Sequence, residues 1–152
     1  MRTLDILDAI NGKLVERWPE RTVYVDVCPV DFDRPSFWLA VEQDEQTDAN
    51  RFLVRHDIRL KLTIYDQLDE HYDASWYRLA GESDAVMELL TPVLRVGSRR
   101  LKLNLKALPR EADRSFLQIT ASWMDDRPGL SQSEEPPPAD SYSLRVRGNI
   151  EP

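Results

Sequence analysis

The stretch Phe52-Leu-Val-Arg-His-Asp-Ile-Arg-Leu-Lys-Leu-Thr-Ile64 decides the fold. Phe52, Val54, His56, Ile58, Leu60, Leu62 and Ile64 take every second position, and Leu53, Arg55, Asp57, Arg59, Lys61 and Thr63 alternate with them. Period two places the two sets on opposite faces of a strand. At ~3.3 Å per residue the stretch reaches about 43 Å, more than twice the length of a typical strand. A strand that long either bends around a core or projects past it. A projecting arm offers apolar side chains to a neighbouring subunit, which is a first hint of assembly.

On the N-terminal side, Ser36 to Gln43 reads as a second strand with Phe37, Leu39 and Val41 on one face, followed by a polar, acidic connection from Asp44 to Asn50. Thr22 to Val27 alternates too, with Val23, Val25 and Val27 on one face. Cys28 to Pro35 is a loop bounded by prolines. Thr3 to Trp18 is an amphipathic helix: Leu4, Leu7, Ile10, Leu14 and Trp18 recur at helical spacing. Thr3 serves as its expected N-cap and Pro19 stops it.

On the C-terminal side, Asp73 to Leu90 is a second helix with Trp76, Leu79, Ala80, Ser83, Met87 and Leu90 as its buried face and Glu82, Asp84 and Glu88 outside. Val93 to Val96 is a short strand, and Gly97-Ser98 a turn. Arg99 to Ala107 alternates strictly, Leu101, Leu103 and Leu105 inward, Arg100, Lys102, Asn104 and Lys106 outward. Phe116 to Met124 is a last strand. These elements predict an α+β fold: a mostly antiparallel sheet with a long central strand and two helices packed on one face. Residues 1–128 form the expected domain. Residues 129–152, rich in Pro, Ser and Glu, form a disordered or extended C-terminal extension.

The length of 152 residues suits one domain with a core of its own. A single cysteine, Cys28, excludes an internal disulfide and a thiolate-cluster metal site. Neither a signal peptide nor a membrane span is expected, because no apolar run is long enough. The net charge of −7 disfavours nonspecific binding to nucleic acid or an anionic membrane. Its distribution is more informative. Residues 51–65 carry four basic groups against one acid, and residues 95–110 carry six basic groups and no acid.

Chemistry is poorly supplied, so no catalytic residue, cofactor or metal is expected. His56 falls on the apolar face of the long strand, where a satisfied core or interface role outweighs catalysis. His71, in Asp69-Glu70-His71-Tyr72-Asp73, reads as part of a solvated turn, and the two histidines match no zinc spacing. Cys28 has no nearby histidine and reads as inert. Glu42, Asp44, Glu45 and Asp48 resemble a carboxylate cluster, but nothing apolar adjoins them to raise a pKa, so they read as a solvated loop.

Arg55, Arg59 and Lys61 lie on the outer face of one strand and Arg100, Lys102 and Lys106 on the outer face of another. If both strands share a sheet, they make a basic stripe suited to an acidic partner. Asp57 and Asn104 occupy the interleaved positions where a nucleic-acid binder would place stacking aromatics. The acids Glu42, Asp44 and Glu45 supply a complementary patch. These nine residues are the candidate subunit or partner interface, and a heterologous contact between them closes into a ring where rotation permits.

The order of Thr3–Ile10, Trp18-Pro19, Val23-Tyr24-Val25, Pro35-Ser-Phe-Trp-Leu39, Arg51–Ile58 and Leu62-Thr-Ile-Tyr65, closed by a Trp/Leu helix and two strands, resembles the tail terminator (tail-completion) proteins of long-tailed phages and prophages. The resemblance covers about residues 1–127. It implies a structural virion protein, made in the host cytoplasm, that forms a ring, commonly hexameric, at the head-proximal end of the tail. Such a ring halts tube polymerisation and presents a surface to the head connector. Its implied partners are further copies of itself, the tail-tube protein and the head–tail connector, with DNA only passing through an acidic lumen. Alternatives from the residues are another head–tail connector or tail-tube component, and a nucleic-acid-binding α+β module using the basic stripe.

Overall fold

The computed structural model describes residues 1–129. The expected C-terminal extension therefore lies, from residue 130 onward, outside the described residues. Alternation builds the sheet. The long strand, β3 (Leu53–Tyr65), pairs antiparallel along its whole length with β2 (Ser36–Asp48) on one side and β7 (Arg114–Asp126) on the other. Each of the three has 13 residues. The short β1 (Thr22–Val25) adds parallel to β2, and β6 (Asn104–Leu108) adds antiparallel to β7. The five-stranded order is β1-β2-β3-β7-β6, and β4 (Leu94–Val96) with β5 (Arg99–Leu101) makes a separate ribbon. This is an α+β fold with a mostly antiparallel sheet.

One sheet face is the core. Phe37, Leu39, Leu60, Leu62, Ile64, Leu117 and Ile119 point to it and are fully buried. Ile6, Leu7, Ile10 and Leu14 of α1 (Thr3–Arg17) cover it, together with Leu79, Val86 and Leu90 of α2 (Trp76–Leu90). Each such buried aliphatic side chain contributes roughly 1.5–3 kcal/mol relative to exposure. Both helices share this face, so among the described residues the opposite face carries no helix.

Several local expectations are corrected. Thr3 lies inside α1 and does not cap it. Arg2 is the N-cap residue, and the Asp5 carboxylate, three residues on, accepts the Arg2 N–H at 2.8 Å. β1 ends at Val25, and Val25 and Val27 are exposed. The expected acidic loop from Asp44 is instead the outer half of β2. Its backbone pairs with β3 as far as Asp48, and ladder hydrogen bonds override low strand propensity. The expected single strand Arg99–Ala107 breaks at Lys102-Leu103, where the chain passes from the β4–β5 ribbon to the sheet edge. α2 starts at Trp76, not Asp73, because Ser75 caps it by accepting the Arg78 N–H at 3.5 Å. Glu82, expected outside, is turned inward onto Arg21.

Candidate interface

The strand that decides the fold both packs and projects. Its second half, Leu60–Tyr65, is almost wholly buried. Its first half runs out beside the outer part of β2, where every residue from Glu42 to Asp48 is exposed, and beside the end of β7. The result is a three-stranded arm whose β2 segment is exposed on both faces, while Val54, Ile58, Ala121 and Trp123 stay buried. Its tip is pinned. Asn50 Oδ1 accepts the N–H groups of Phe52 and Leu53 at 2.8 and 2.9 Å, and Arg127 Nη2 meets Asp48 at 2.6 Å. Arg127 N–H also donates to the Phe52 carbonyl at 2.7 Å.

A β-bulge between Val41 and Gln43 decides where the candidate acids point. Before it, even-numbered residues of β2 face away from the helices; after it, odd-numbered residues do. Glu42 sits at the bulge. Asp44 swings to the helix side, where the Thr3 hydroxyl donates to it at 2.6 Å. Glu45 is brought to the helix-free side. The three acids therefore share no single patch.

On the helix-free face the register places Ala40, Lys61, Gln118 and Lys106 in one row, and Gln43, Arg59, Thr120 and Asn104 in the next. Lys61 and Lys106 stand two strands apart, about 10 Å. Lys61 Nζ rests 4.2 Å from the centre of the Phe116 ring. Arg55 is occupied by Asp57 at 3.0 Å, and the Ser122 hydroxyl donates to the same carboxylate. The Ser122 and Arg55 bonds hold Asp57 below the usual carboxylate range. The predicted stripe thus survives in part: Arg55, Arg59, Lys61 and Lys106 share a face. Arg100 does not, because it belongs to the β4–β5 ribbon, and Lys102 lies in the link between ribbon and sheet.

Two ionic anchors hold the arm and its base. At the arm, Asp125 accepts from the Met1 ammonium at 3.1 Å, from the Trp123 indole at 3.0 Å and from Arg99. His56 stacks on Trp123 with ring centres 4.9 Å apart and places Nε2 3.6 Å from the same carboxylate. His56 is thus a half-buried structural residue. At the base, Arg114 donates twice to Asp113, at 2.9 and 2.8 Å, and Arg34 donates to it at 2.6 Å. The Arg114 bonds, against the opposing effect of burial and with help from Arg34, bring Asp113 down to about 2. At Asp125 burial opposes ionisation, but the ammonium, indole and guanidinium bonds outweigh it and the pKa is lowered. Both groups have folded-state values below their unfolded ones, so their stabilisation is complete above about pH 4. It is lost as pH falls toward 2, and with solvent screening the loss at Asp113 is of order 1 kcal/mol. Urea melts between pH 5 and pH 2 are expected to show a falling midpoint, and the fall is smaller in Asp113→Asn.

The remaining candidates are simple. His71 sits in an exposed turn, its N–H donating to Asp69 Oδ1 at 2.8 Å. Cys28 is half-buried. Among the described residues no three His, Cys, Asp or Glu side chains are grouped to hold a metal ion, and no helix is long and apolar enough to cross a membrane. The concavities are open. One of about 390 Å³ lies between Met1–Leu4 and the arm residues Asp44, Gln46, His56 and Trp123.

One surface went unread in the sequence. Tyr72, Trp76 and Tyr77 are exposed at the start of α2, Trp76 and Tyr77 in edge contact at 5.1 Å, with Arg110 5.3 Å over the Trp76 ring. Trp76 has the helical phase of Leu79 and Ser83, but it is 58% exposed where they are buried. Phase says which way a side chain points and not how far its packing partner extends. Ser75 as N-cap was the available signal.

No protein-family model matches the chain, and no curated protein matches it. A solved structure with no function in its name is similar at 13% identity, over 84% of this chain and 96% of that chain, with a TM-score of 0.44.

Proposed function

We propose that the protein is a structural assembly subunit, a tail terminator that forms a ring at the head-proximal end of a phage tail tube and offers the joining surface to the head connector. The observation that carries this reading is the pinned three-stranded arm. Ordering a residue costs roughly 1–2 kcal/mol of backbone entropy, and both faces of the outer half of β2 are left exposed. Within one copy the concavities beside the arm are open. Laid against another copy or a tube subunit, the arm supplies backbone edges and a mixed polar surface. The sequence pattern supplies the choice of ring and tail, and the helix-free face with Arg59, Lys61 and Lys106 supplies a second contact surface. Mass photometry of the full chain, alone and with purified tail tubes, is expected to show a ring-sized species or capped tubes. A monomer at high concentration that also ignores tail tubes overturns the reading. Label spread along the tube, in place of its head-proximal end, makes the protein a tube component.

A further inference from the structure

The two edges of the five-stranded sheet carry opposite charge. At the β1 edge, Asp26, Asp31 and Asp33 are exposed, and none has an ion-pair partner among the described residues. The neighbouring arginines are taken: Arg21 by Glu82 and Arg34 by Asp113. Val25, Val27 and Val30 stand exposed beside these acids, Val27 at 72%. At the β6 edge and the ribbon leading into it, Arg95, Arg100, Lys102, Lys106 and Arg110 are all exposed, again with no acid paired to them among the described residues.

The ribbon holds the decisive detail. Arg95 and Arg100 are direct cross-strand partners. Like charges directly opposite each other destabilise a strand pair. In a lone copy this placement costs stability, and among the described residues no acid is paired to either arginine. A local rule broken without compensation inside the molecule marks a position used elsewhere. Short charged strands also guard an edge against promiscuous pairing. That protection needs charge on each edge but not opposite signs on the two.

We propose that the β6 edge of one copy, with the Arg95/Arg100 ribbon, docks on the β1 edge and the Asp26–Asp33 loop of a second copy, head to tail around the ring. The proposal rests on the ring reading and names its contact. A head-to-tail contact joins two different surfaces and closes where the rotation permits. Charge complementarity sets partner, register and association rate, and the exposed valines supply apolar area to bury.

The test uses two full-length double variants, Asp31→Lys with Asp33→Lys, and Arg100→Glu with Lys106→Glu. All four residues are exposed, so thermal melts check that the fold is retained. Each double variant is expected to raise the concentration for half-assembly about tenfold or more at physiological salt, since the first reverses the sign of the β1 edge and the second removes most of the positive charge of the β6 edge. Native rings with unaffected double variants overturn the edge contact and leave the ring reading standing. Rings that persist in Arg100→Glu with Lys106→Glu while binding of a short DNA duplex is lost also overturn it, and make the basic edge a nucleic-acid surface. A native chain that never leaves the monomer and ignores tubes removes both.

Discussion

Glu82→Ala is expected to cost about 3–5 kcal/mol, a large share of the stability of an ordinary domain. The Arg21 guanidinium meets Glu82 Oε1 at 2.6 Å, with side-chain exposures of only 8% and 13%. It lies over the rings of Trp18 and Phe37 at 5.8 and 5.4 Å, so removing the carboxylate strands a cation against the aromatic end of the core. The pair is not an economical design. Arg21 Nε and Nη1 and Glu82 Oε2 have no hydrogen-bond partner among the described residues. Replacing both members with apolar residues, Arg21→Met with Glu82→Leu, is therefore expected to recover most of the loss or exceed the native stability. Urea denaturation of the two variants decides it. An alanine variant within about 1 kcal/mol of native stability means the pair is effectively solvated and screened.

Strict alternation from Phe52 to Ile64 announced β3, and the Leu/Ile spacing announced both helices, because one buried face imposes one period. Those signals gave the α+β fold and the shared helix face. They failed where burial stops. The outer half of β2 is exposed on both faces, so its acids carry no alternation, and a strand held by ladder bonds read as a loop. The Val41/Gln43 bulge then reversed the facing of Asp44 and Glu45, which no residue in the run signals. Arg99 to Ala107 failed in the opposite way. Its alternation is real, and Leu101 and Leu103 are buried, but the chain changes sheets between them. Period two fixes which face a residue takes and is silent on which strand it pairs with. Hence the basic stripe was half right: Lys61 and Lys106 share a row, and Arg100 does not.

The same distinction separates what the sheet does from what its margins do. The core face needs only volume and apolarity, and it has both in one cluster. The margins hold the unusual choices: a pinned arm, two arginines placed face to face, and acids beside exposed valines. None of these improves the folded monomer. Each is consistent with a molecule whose stable context includes its own copies, and the charge-reversal pair distinguishes that from a surface that is merely well solvated.

Asp125→Ala is expected to cost about 2–4 kcal/mol, the second-largest effect of a single change outside the aliphatic core. The carboxylate gathers the Met1 ammonium, Arg99, the Trp123 indole and, at 3.6 Å, His56, and it is only 17% exposed. It joins three segments: the start of α1, the β5 strand and the end of β7. Without it the ammonium, 4% exposed, and the indole lose their acceptor, and two cations are left close together. The effect is expected to be local before it is global. Amide exchange in residues 53–57 and 122–126 should accelerate well before that of Leu60–Ile64, since Val54 and Trp123 are the only buried residues of these segments whereas Leu60–Ile64 is almost wholly buried. Asp57→Ala, also on the arm but bonded to exposed Arg55 and Ser122, is the control and is expected to change exchange far less. If Asp125→Ala loosens the arm and weakens assembly in step, the arm acts as a preformed contact surface, because ordering it at the moment of binding would then subtract from affinity. Equal acceleration across arm and core would show instead that Asp125 supports the whole fold and that the arm has no independent rigidity.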